Sequence, residues 1–106
     1  MPGQDEPVNV KTLSEAQPAY DKAKAAFLKA PTDAKAKEAY ISATNTLADS
    51  TMMAADLGPK KQYPGALKLY REVLKTDASN KHADVESKLI IGIYKSMGRP
   101  VPAEGG

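Results

Sequence analysis

The sequence predicts an all-α chain of four antiparallel helices. Apolar residues return every three or four positions in four separate stretches. Pro and Gly stand between those stretches, and no run alternates apolar and polar residues as a half-buried strand does.

The first helix starts between Thr12 and Pro18. Thr12 and Glu15 have the spacing of a capping box, whereas Pro18 would remove a hydrogen bond from a helix already begun. Ala19, Ala23, Ala26, Phe27 and Ala30 form its expected apolar side, and Pro31 stops it. Thr32 is the expected cap of the second helix, with Asp33 favourable to its dipole. That helix is predicted to run to about Leu57, with Gly58-Pro59 ending it. Ala36, Tyr40, Ala43, Leu47, Ser50, Ala54 and Leu57 mark one side; Ile41, Met52, Met53 and Ala55 widen it toward a second neighbour.

The third helix has the clearest stripe: Tyr63, Ala66, Leu67, Tyr70, Val73 and Leu74. Pro64 places its first turn near Tyr63. Thr76 to Asn80 read as a turn, with Asp77, Ser79 or Asn80 available to cap the fourth helix. Ala83, Ser87, Ile90, Ile91, Tyr94 and Met97 give that helix its main face, and Gly98 closes it. Residues 1–11 and 99–106 read as disordered flanks around a single domain at 12–98. Leu, Ile and Val concentrate after Tyr63, so the core should be thick there and thin, lined by alanine, near the start.

Composition excludes several functions. The net charge of +2 is too small to argue for nucleic acid. Six Lys against eight acids in residues 1–59, then nine Lys/Arg against five acids, reads as solvated helix faces. There is no Cys, and no apolar run approaches the roughly 20 residues that span a bilayer. A soluble chain, with the cytoplasm favoured, is the expectation. His82 is the single histidine and reads as an exposed first-turn residue. No metal-ligand spacing, phosphate loop or nucleophile motif occurs, so neither a cofactor nor an enzymatic activity is expected.

Taken together, Tyr63, Ala66, Tyr70, Val73-Leu74 and the turn at Ala78 resemble the second helix of a tetratricopeptide repeat. Ala16, Ala19, Ala23, Ala26-Phe27 and Pro31 follow the same ruler with alanine replacing the aromatics. Ile90, Tyr94 and Gly98 match the family's first helix, although Ile91 stands at its glycine position and Gly92 comes one place later. Pro31 and Ala78 lie 47 residues apart, against a repeat of about 34.

The resemblance implies two helix-turn-helix pairs in a right-handed stack, and a groove lined by the second and fourth helices. It also implies a protein or peptide partner, at Asn45, Asp49, Met52, Lys88 and Gly92. Met52 and Met53 suggest an adaptable patch at the overhanging end of the second helix, through which the chain could self-associate. The family's Lys–Asn carboxylate clamp is not matched, because Gly92 follows Lys88. The rival expectation is an up-and-down four-helix bundle that serves as a structural subunit or binds a small ligand. Contact of Phe27 with Ile90 or Tyr94 would mark that closed arrangement.

Overall fold

The computed structural model describes residues 12–103, so the expected flank 1–11 and the last three residues of the expected flank 99–106 lie outside the described residues. Residues 99–103 are described, and Val101 and Pro102 dock on the helices instead of forming a free tail. Four α-helices succeed one another: α1 Leu13–Lys29, α2 Ala34–Met53, α3 Pro59–Thr76 and α4 Lys81–Ser96. A single 3-10 turn, Ala55–Leu57, separates α2 from α3, and no strand occurs among the described residues. The all-α reading holds.

α1 begins at the earlier of its two candidate starts. Glu15 Oε1 accepts from the Thr12 backbone N–H at 3.1 Å, which fixes the first turn ahead of Pro18. Pro18 therefore sits inside the helix and leaves the Ser14 carbonyl without its ladder donor. The buried side is also rotated from expectation. Ala16 and Tyr20 are buried and Leu13, Ala23 and Phe27 partly so, while Ala19, Ala26 and Ala30 face water. Hiding Tyr20 and Phe27 removes far more apolar area than hiding alanines, and that decides the register.

α2 is capped by Asp33 rather than Thr32: Asp33 Oδ2 accepts from the Ala36 N–H at 2.9 Å. It ends at Met53, short of the expected Leu57. The chain leaves helical geometry at Ala54, with φ −84° and ψ 77°, and Gly58 then sets the start of the next helix. The Gly58 φ of 80° and ψ of 155° are closed to other residues, and they make Pro59 the first residue of α3. α3 thus starts before Tyr63, and Pro64 is its sixth residue instead of a first-turn proline.

With 20 residues in α2 and 18 in α3, the predicted methionine overhang is absent. Met52 packs against the main core, and its carbonyl accepts from Gln62 Nε2 at 2.8 Å. Met53 is 63% exposed. The two helices approach closely at Gly65, where a Cβ would lie 3.3 Å from Thr51 Cγ2.

The third helix buries the predicted stripe, with Ala66, Leu67, Tyr70 and Val73 all hidden. α4 is capped by Asn80, whose Oδ1 accepts from the Ala83 N–H at 3.0 Å. Gly98, at φ 69°, ends it in a Schellman turn: its N–H reaches the Lys95 carbonyl at 3.1 Å and the Arg99 N–H reaches that of Tyr94 at 2.9 Å. Met97, expected on the packed face, is exposed just where that turn begins. Residues 99–103 run back over the core. Val101 packs against it, and Arg71 Nη1 donates to the Pro102 carbonyl at 2.7 Å.

The helices pack in chain order, α1 on α2, α2 on α3 and α3 on α4. The shortest extent, 24 Å, is about two helix diameters. Two apolar clusters result. The larger holds Ala48, Ala66, Leu67, Tyr70, Val73, Ala83 and Ile90; the smaller holds Ala16, Tyr20, Tyr40 and Leu47. Phe27 stacks on Tyr40 at 4.9 Å within the smaller cluster, whereas Ile90 and Tyr94 belong to the larger.

Candidate functional site

Each cluster carries a polar network. In the smaller, the Tyr20 hydroxyl donates to Glu72 Oε2 at 2.6 Å and the Tyr40 hydroxyl donates to the same oxygen. Lys24 Nζ donates to Tyr20 Oη at 3.2 Å and lies 3.5 Å from Glu72. One carboxylate on α3 therefore holds α1 and α2. Burial, reinforced by the Glu72 hydrogen bond, raises both phenols well above the ordinary tyrosine range, so they remain donors.

The other network opens to solvent. The Tyr70 ring is 1% exposed, and its hydroxyl donates to Asp49 Oδ1 on α2. Burial first and Asp49 second push this phenol upward as well. On the outer side of Asp49, His82 Nε2 lies 2.8 Å from Oδ1 and 3.1 Å from Oδ2. The Tyr70 and His82 rings meet edge to face at 5.9 Å. His82 is an exposed first-turn residue as expected, and it also ties α4 to α2. A parallel tie runs from Asn45 Nδ2 to Asn80 Oδ1 at 3.2 Å, so the cap of α4 also fixes the wall of α2.

Asn45, Asp49, Asn80 and His82 line an open cleft of about 510 Å³ along α2 and the start of α4. Glu38 and Asp77 add two carboxylates to its rim. The Ser79 hydroxyl, donating to Asp77 at 2.8 Å, holds that carboxyl below its usual range. The cleft is an array of acceptors and amides facing one imidazole. Among the described residues no group of three acidic, His or Cys side chains is placed to hold a metal.

Of the partner-binding residues expected from sequence, Asn45 and Asp49 line the cleft. Met52 packs into the core, and Met53 is exposed at the carboxyl end of α2. Lys88 is exposed and pairs with Asp84 at 3.1 Å. Gly92 is exposed, with open space where a Cβ would sit. Neither of these α4 residues lines the cleft. Sequence alone marks Asn80 only as a candidate cap and His82 only as a surface residue. Their pairing with α2 spans 35 and 33 residues of sequence, and no local pattern encodes it.

No protein-family model, curated protein or solved structure matches the chain. Among the described residues no helix is long and apolar enough to cross a membrane.

Proposed function

We propose that this chain is a non-enzymatic, tetratricopeptide-like interaction module that binds a peptide segment of another protein along the α2–α4 cleft. The cleft itself carries the reading. Asn45, Asp49 and His82 present unlike hydrogen-bonding groups on two helices locked together by Tyr70 and Asn80, a rigid and open surface suited to an extended chain. Its carboxylates favour a segment with basic or amide side chains.

The repeat reading has separate support. α1 and α3 are of similar length, 17 and 18 residues, and each carries proline as its sixth residue. Residues 30–33 join α1 to α2 and residues 77–80 join α3 to α4, each a four-residue connection. Phe27 belongs to a different cluster from Ile90 and Tyr94, which favours a stack over a closed bundle.

Selection of random displayed peptides against the whole chain tests this function. Enriched peptides should bind with Kd on the order of 1–100 μM and weaken at least about fivefold with Asp49→Asn or Asn45→Ala. Failure to enrich any peptide, or binding indifferent to both substitutions, would remove the proposal.

A further inference from the structure

A second cavity lies at the other end of α4, about 22 Å from His82 at 1.5 Å per residue. Its volume is about 540 Å³, within the range of small-molecule sites. Leu57, Tyr63, Tyr94 and Met97 supply apolar surface, and Lys60 and Arg99 supply charge. Tyr63 and Tyr94 meet edge to face at 6.4 Å, and Met97 is exposed despite its position beside them.

Backbone geometry sets where both cationic side chains leave the chain. Pro59 and Gly58 set Lys60 at the second position of α3. The Schellman turn folds Arg99 back over Tyr94, and the docking of Val101 and Pro102 fixes the chain beyond it. Among the described residues neither cation has a carboxylate within ion-pair distance. The amino end of α3 opens nearby and adds partial positive charge of the same sign.

We infer that this cavity binds a small amphipathic monocarboxylate, an aromatic or aliphatic acid whose apolar body lies against Tyr63, Tyr94 and Met97 while its carboxylate meets Lys60 and Arg99. The apolar lining accounts for the body, and two cations with no ion-pair partner among the described residues account for the head. A neutral ligand would leave both cations without a partner; a cationic one would be repelled. This site is separate from the peptide cleft and does not depend on it.

Three ligands of one shape and different heads test the inference: 4-phenylbutyrate, 4-phenylbutyramide and 4-phenylbutylamine, titrated into the whole chain and followed by amide NMR shifts. The acid should give saturable shifts at Lys60, Tyr63, Tyr94 and Arg99, and bind at least about tenfold tighter than the amide or amine. Lys60→Gln with Arg99→Gln should remove that preference, and Met97→Glu should weaken the acid with the fold intact by circular dichroism. Equal binding of all three heads, no saturation by about 5 mM acid, or shifts confined to the α2–α4 cleft would overturn it. Shifts at the same amides on simple dilution would make the occupant a second copy of the chain, and would overturn it equally.

Discussion

The two apolar clusters are built differently although each joins three helices. Around Leu67 and Val73 the core is mostly aliphatic, built about the one buried Tyr70 ring and supported by Ile41, Met52, Leu74 and Ile91. Around Tyr20 and Tyr40 the buried residues are those two tyrosines, one alanine and one leucine, with Phe27 stacked beside them, and a single carboxylate, Glu72, gathers the hydroxyls. Where aliphatic area is plentiful, cohesion comes from water exclusion. Where it is scarce, directional bonds to one charge take a larger share. α1 is therefore fastened chiefly by aromatic stacking and hydrogen bonds, and α3 by burial.

Leu67→Ala attacks the aliphatic side and should have the largest effect, a loss of about 3 kcal/mol in urea unfolding. Phe27→Ala, made on a half-buried ring, should lose roughly half as much. Equal losses would erase the contrast between the clusters. Tyr40→Phe removes a hydrogen bond to a charge and should destabilise by about 1–2 kcal/mol. Tyr20→Phe should cost less than the sum of parts, because Glu72 retains the other phenol and Lys24.

Alkaline pH probes both networks at once. The phenols of Tyr20, Tyr40 and Tyr70 are raised in the folded chain above their ordinary value of 10.0, so the unfolded chain releases those protons first. Stability is then complete below about pH 10 and falls as pH rises beyond it, since the unfolded state binds fewer protons. Urea midpoints measured from pH 8 to 11 should decline above 10, less steeply in Tyr40→Phe and Tyr70→Phe. A flat profile in the parent chain would contradict the networks. His82→Gln should have the smallest effect, no more than about 0.5 kcal/mol, because that pair is 46% and 43% exposed.

Much of the fold was legible because its signals are local. The Tyr63–Leu74 stripe, Gly98 as a stop and Asn80 as one of three candidate caps needed only neighbouring residues. The errors arose where distant packing chose between local options. Tyr20 turns the face of α1 so that Ala23 and Phe27 stay partly covered while Ala19, Ala26 and Ala30 face water, and Pro64 looked like a helix start because interior proline is costly. Within the cleft, Asn45 and Asp49 could be placed on one helix face by their four-residue spacing. Nothing near them in sequence announced Tyr70, Asn80 or His82, since contacts across 21 to 35 residues leave no periodic mark.

The clasp between Arg71 and the Pro102 carbonyl has a mechanical consequence. Tension applied at residue 103 reaches α3 through that bond and the docked Val101 before it loads the end of α4. Tension at residue 12 meets the first turn of α1, whose Leu13 and Ala16 pack in the smaller cluster, and then a ladder already interrupted at Pro18. Under a pulling force the chain should yield from its amino end, peeling α1 away while the other three helices still share the load.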